Sequence, residues 1–242
     1  MNAAYFDQFN MKKLLYMKTS ETMLSMSNLT LTLLIIALLM ITINKNYKML
    51  PNRNTMMTHT LLKMTLNLTN EHMKNKQLTY NPLMFTMFTT LMTMNLMGLL
   101  PYVFTTTSHM IITFSLSLTI MMKTTMSALM KHNSKFLSML TPQSAPLPLA
   151  PFLVLMETTS YITRAISLGV RLAANMSAGH LLLTILSSFA LNTMTSNYYL
   201  LSILPMTALC LMSLLEMMVA LMQAYVFTLL TTIYMSDTTK LH

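Results

Sequence analysis

Along this chain, apolar runs long enough to cross a bilayer alternate with short basic or neutral-polar stretches. A membrane-spanning helix needs about 20 apolar residues. Residues 24–43 carry no charge and predict a first, upright transmembrane helix. Residues 82–100, closing on Gly98 and Pro101, and residues 110–130, with Lys123 near the end, predict a transmembrane hairpin across a short uncharged turn. The runs at 151–191 and 198–235 are too long for one upright crossing. Forty residues of helix extend about 60 Å, twice the hydrocarbon thickness of roughly 30 Å. These two segments must tilt steeply, lie along the membrane or break, and the polar stretch 192–197 makes them a C-terminal hairpin.

The connections carry their own signals. Residues 44–80 form the most basic stretch, and within 55–72 Met57, Leu61, Leu62, Met64, Leu66 and Leu68 lie among threonines. That pattern predicts an amphipathic helix at the membrane interface. The alternation also permits a strand, but an exposed strand edge is unfavourable at a membrane. Pro142, Pro146, Pro148 and Pro151 predict a stiff, extended connector that sets the angle of the next helix. Residues 1–23 are mixed polar and read as a surface segment. The whole chain, 1–242, is expected to be one all-α polytopic membrane domain.

Composition narrows the function. Hydrophobic residues make up 54% and charged residues only 9%, against roughly 25% charge in soluble domains. The mean hydropathy is +0.54. The net charge of +9 sits mostly in loops before residue 136, which points to membrane orientation and lipid contact rather than nucleic acid. The basic loops at 44–80 and 131–141 fall on one side, although the basic N-terminal segment falls on the other. The single cysteine, Cys210, lies in an apolar run, is expected to be buried, and rules out a disulfide framework. No phosphate loop, dinucleotide fingerprint or HExxH motif is present, so no cofactor or metal is expected. His59, His72, His109, His132 and His242 read as isolated loop or interface histidines.

The candidate chemistry concentrates between residues 157 and 223. From 136 to 236 the only formal charges are Glu157, Arg164, Arg171 and Glu216. Seven residues advance a helix by almost two turns, so Glu157, Arg164, Arg171 and Ala178 share one stripe, with Asn175 beside it and His180 pointing the opposite way. Small neighbours surround Arg171 on its face: Ser167, Ala174 and Ala178. Such a face lets another helix approach closely. Arg171 is then either offered to a partner surface or paired inside the bundle. Glu216 and Gln223, seven residues apart, share a face of the last helix. His180 is the titratable partner available to Glu216. A fixed cation beside proton-carrying groups suits a proton path with a barrier in it. A buried Glu–Arg pair holding two helices together is the plainer reading, and ionisable groups inside membranes are functional by default.

SLGVRLAANMSAGH at 167–180 and LLEMMVALMQAYVFTLL at 214–230 resemble the two signature helices of the ATP synthase subunit a family, the mitochondrial form in particular. NPLMFTMFTTLMTMNLMGLLPY at 81–102 and PQSAPLPLAP at 142–151 extend the resemblance. It implies a non-catalytic stator subunit of the mitochondrial inner membrane. Two half-channels would pass protons to and from the carboxylates of a c-subunit ring, against which the two long helices wrap. Arg171 matches the essential arginine facing that ring, and Asn175 the polar residue beside it. Glu216 and Gln223 match the channel carboxylate and glutamine. His180 matches a proton-uptake histidine, and Glu157 a carboxylate near the matrix exit. Arg164 and Ser167 are supporting candidates. The implied partners are the c-ring, other membrane-sector and peripheral-stalk subunits, protons and lipids. A secondary proton-coupled transporter is the competing reading. It predicts an internal repeat around a mid-membrane site, and RLAAN has no second copy.

Overall fold

The computed structural model describes residues 9–18, 23–46, 53–72, 77–100, 103–132, 149–195 and 199–239. Six α-helices make up nearly all of them: α1 (Asn28–Asn46), α2 (Arg53–His72), α3 (Gln77–Gly98), α4 (Met110–His132), α5 (Ala150–Thr195) and α6 (Tyr199–Thr239). A small antiparallel hairpin, β1 (Lys13–Lys18) with β2 (Met23–Ser27), precedes them.

The hairpin corrects the expected start of the first helix at residue 24. Ser27 ends β2 and caps α1: its hydroxyl accepts from the Thr30 amide at 3.4 Å, and Thr30 Oγ1 accepts from the Ser27 amide at 3.0 Å. This reciprocal cap satisfies otherwise orphaned amides and fixes the helix start. The Asn28 amide donates to the Lys12 carbonyl at 3.1 Å, tying the segment before β1 to the head of α1.

Three helices among the described residues are long and apolar enough to cross a membrane: Met110–Met130, Ala150–Thr195 and Ser202–Ser236. Asn28–Ile41 is a shorter apolar helix. α3, expected to span over 82–100, is not among the three; it starts earlier, at Gln77, and threonines and Asn95 dilute its apolar run. α5 continues past 191 through Thr195, and α6 runs on to Thr239. At 1.5 Å per residue they extend roughly 69 Å and 62 Å.

α5 and α6 pack on each other and organise the rest: α4 lies chiefly against α5, and α3 chiefly against α6. The expected hairpin of α3 and α4 is therefore two consecutive helices that choose different partners. The connector between them is not a simple surface turn. Phe104, Thr105, Thr106 and Thr107 are buried there around a short 3-10 turn, Thr106–Ser108, that touches α3, α4 and α5. The main core brings together Phe88 and Leu91 of α3, Ile120 of α4, Leu168 and Leu172 of α5, and Ala224 and Phe227 of α6. α2 lies along α3 and buries Thr58, Thr65, Leu68 and Thr69, while Met64 is exposed.

Several buried threonines of the long helices are satisfied within their own helices. Thr89, Thr124, Thr228 and Thr232 donate to carbonyls three or four residues back, at 2.6–3.2 Å. A hydroxyl bonded this way can face apolar neighbours without an unmet group. Gly169 lets α4 and α5 close up: a Cβ there would stand 2.8 Å from Ser117 Oγ and 3.2 Å from the Thr113 carbonyl oxygen. Cys210, expected to be buried, is exposed on α6.

Candidate functional site

One face of α5 packs inward. Ala165, Leu168, Gly169, Leu172, Ala173, Met176 and His180 are buried at three- and four-residue spacing. Six of the seven are small or apolar, so His180 is the polar end of an otherwise apolar stripe. α6 mirrors it. Glu216, Ala220, Ala224, Phe227 and Thr231 form its buried stripe, with Glu216 at the head.

The two polar heads meet. His180 and Glu216 are each only 6% exposed, and His180 Nδ1 lies 4.0 Å from Glu216 Oε1. That separation permits strong electrostatic coupling but exceeds a direct hydrogen bond. Gly179 makes the meeting possible. A Cβ at residue 179 would stand 2.5 Å from Glu216 Oε1 and 3.0 Å from its Cδ. The carboxylate therefore lies flat against the α5 backbone, in space only a glycine leaves open. Gly179→Ala is expected to push the carboxylate aside. Overpacking of this kind typically costs about 1–3 kcal/mol, so the variant should be less stable. Thermal unfolding of the two forms checks this; an unchanged midpoint would show that the space beside Gly179 is not tight.

α3 completes the pocket. Asn95, 1% exposed, donates through Nδ2 to the Ala220 carbonyl at 3.1 Å, one turn beyond Glu216. The Gly98 backbone reaches His180, and Gly98 leaves room for the Met176 methyl, which would stand 3.1 Å from a Cβ there. His109 stacks on Phe104 with ring centroids 5.0 Å apart. Among the described residues, both Glu216 oxygens, His180 Nε2, Asn95 Oδ1, Thr107 Oγ1 and His109 Nε2 are buried without a hydrogen-bond partner. Buried polar atoms are almost always satisfied by protein or water, so this is a set of groups that calls for hydration.

Arg171 lies elsewhere. It is exposed, on the side of α5 opposite the packed stripe, between exposed Ser167 and exposed Ala178, with Asn175 half-buried beside it. The outer faces of α5 and α6 also carry open apolar side chains: Ile166, Leu182, Ile185, Leu214 and Met218 are all exposed. Glu157 is also exposed, two turn-pairs earlier on α5. Arg164 is half-buried and placed differently from Arg171: its guanidinium lies 5.3 Å from the centroid of the Tyr234 ring on α6. Gln223 is half-buried on α6. No group of three or more potential metal ligands occurs among the described residues.

The structure thus divides the sequence candidates into a buried pair, His180 and Glu216, and an exposed row, Glu157, Ser167 and Arg171. Asn95, Gly98, Gly179 and the 104–109 connector belong to the buried site without having stood out in sequence. A lone asparagine in an apolar run, and the scarcity of glycine (three in the chain), were the available signals.

The family model described as ATP synthase A chain matches residues 24–236. An ATP synthase subunit a from Metridium senile is 44% identical over 242 residues, covering 100% of both chains. One from Zancudomyces culisetae is 37% identical over 243 aligned positions, covering 98% of each chain. One from Marchantia polymorpha is 42% identical over 219 residues, covering 88% of this chain and 86% of that one. With a family match across most of its length and full-length relatives this similar, the chain belongs to the ATP synthase A chain family and is a membrane-sector subunit of an ATP synthase.

Proposed function

We propose that this chain is the stationary proton-channel subunit that feeds a rotating c-ring through two half-channels, in the mitochondrial inner membrane. The observation that carries this reading is the division of polar groups on α5. A buried, unsatisfied His180–Glu216 pair lies on the packed side, and an exposed Arg171 lies on the open side. Protons reach Glu216 by way of His180 and the hydration that this pocket calls for. They pass to a ring carboxylate at the open apolar face, travel round with the ring, and leave near Glu157. The Arg171 guanidinium offers donors and no acceptor, so it interrupts any direct proton line. Its charge also favours the ionised form of each ring carboxylate that reaches it.

The spacing along α5 suits two offset paths. Twenty-three residues separate Glu157 from His180, an axial distance of roughly 35 Å, close to the ~30 Å hydrocarbon thickness. Arg171 falls between them. Neither path crosses the membrane alone, and the ring must turn to join them. One charge crossing 100 mV releases about 2.3 kcal/mol, so several protons serve each ATP, and a ring with many carboxylates delivers them. This chain contributes the proton path and no nucleotide chemistry.

Ring dependence is the direct test. Vesicles holding this chain without c-ring subunits are expected to show no proton flux above lipid background under an imposed potential. Vesicles holding the assembled membrane sector should conduct. Flux from the chain alone would favour a self-contained transporter and overturn the stator reading.

A further inference from the structure

Among the described residues, Phe9 of the N-terminal segment reaches the buried pair. The Phe9 ring meets the His180 imidazole edge-on, with centroids 6.1 Å apart and 77° between the planes. Phe9 is half-buried, while His180 is 6% exposed. Its position is set by the hairpin. From Phe9 the chain runs through three residues into β1, β1 pairs with β2, and the Asn28–Lys12 hydrogen bond anchors that junction to the head of α1. An edge-to-face arrangement is the favoured geometry for such a ring pair.

The contact is chemically odd. His180 Nε2 and both Glu216 oxygens lack partners and call for water, yet a phenyl ring, which repels water, lies against the imidazole. Apolar constrictions beside hydrated polar groups control passage by partial dewetting. We propose that Phe9 is a positioning residue for proton transfer: it holds the His180 imidazole toward Glu216 and narrows the access of water to the pair. The proposal rests on the proton-path reading of that pair. With the ring in place, water cannot easily bypass the imidazole, so protons reach Glu216 through His180. With the ring removed, water fills the space and serves Glu216 directly.

That difference is measurable as a coupling between two residues. ATP-driven proton pumping is measured in vesicles carrying the whole complex, for wild type, Phe9→Ala, His180→Ala and the double variant. The loss caused by His180→Ala should be smaller in the Phe9→Ala background, by about two- to tenfold, the factor to which one aromatic pair contact corresponds. Losses that simply multiply, with no coupling, overturn the proposal. Where Phe9→Ala does not assemble, Phe9→Leu and Phe9→Tyr carry the same comparison. Leucine keeps an apolar plug and should preserve the dependence on His180. Tyrosine brings a hydroxyl to the pair and should weaken it. Equal dependence in the two overturns the proposal. Glu216→Gln is the control for the underlying reading. Normal pumping in that variant removes the proton path itself, whereas a block combined with an uncoupled Phe9–His180 cycle removes only the role of Phe9.

Discussion

Arg171→Ala is expected to abolish ATP-driven proton pumping while leaving the complex assembled. The loss should be at least about 10²-fold, the scale on which removing one preorganised electrostatic group slows a charge-transfer step. Assembly should survive because Arg171 is exposed, flanked on its face by small residues, and buries nothing in the core. Its removal opens no cavity and strips no buried partner. Arg164→Ala is the informative companion. Arg164 is half-buried and stacked on Tyr234 at 5.3 Å, so its loss costs a cation–π contact of about 0.5–1 kcal/mol and should slow pumping only mildly. Under the proposed two-path mechanism, proton leak with ATP withheld should rise in Arg171→Ala, which lacks the proposed barrier, and should stay near background in Arg164→Ala. Vesicle acidification and leak, measured on the same preparations, check both. Normal pumping in Arg171→Ala would reduce this arginine to a surface charge and remove the barrier from the mechanism.

Glu216→Gln should produce a loss of similar size for a different reason. Glutamine matches the shape of the glutamate, so the carboxylate bed against Gly179 stays filled and the packing of α5 on α6 is preserved. It cannot pick up and release a proton at this site. Removing a positioned proton donor and acceptor typically costs about 10²- to 10⁴-fold in rate. Glu216→Asp keeps the proton-carrying group but draws it back from the α5 backbone and from His180. It should retain part of the activity, between the glutamine variant and wild type. Pumping rates for the three forms at equal complex content decide the matter. Equal activity in Glu216→Gln and wild type would show that protons do not pass through this carboxylate, and His180 would then be its structural neighbour only.

The departures of structure from sequence have a common source. Helical stripes are local: they follow from 3.6 residues per turn, so the opposite placement of Arg171 and His180 on α5 was readable directly. Helix ends were less so. The first helix was expected from residue 24, yet Ser27 and Thr30 cap each other and release 23–27 to a strand. The apolar count could not register that exchange, because a short uncharged run reads alike as helix or as strand. The hairpin of α3 and α4 was expected from a short connection, but close sequence neighbours need not pack together. Here the long helices offer larger faces, and α3 and α4 each take a different one. His109 read as an isolated histidine because its stacking partner Phe104 and the burial of its Nε2 depend on how the 104–109 connector folds in.

By itself the sequence determined that this is a predominantly helical membrane protein with almost no charge in its last hundred residues. It also determined that the few charges lie at helical intervals and that two of its segments carry subunit a signatures. Each of these is a property of neighbours within a turn or two, and the backbone's own geometry translates it into shape. Only the tertiary structure decided which charges meet. Glu216 finds His180 because Gly179 leaves no side chain in the way. Asn95 finds the Ala220 carbonyl across 125 residues of chain, and Phe9 finds His180 because a hairpin turns the N-terminal segment toward it. These contacts join residues from different elements, and a single residue's identity does not reveal its partner. They exist because helices packed at fixed distance and angle bring particular faces together, and a glycine or an asparagine acquires its role only when the facing helix arrives.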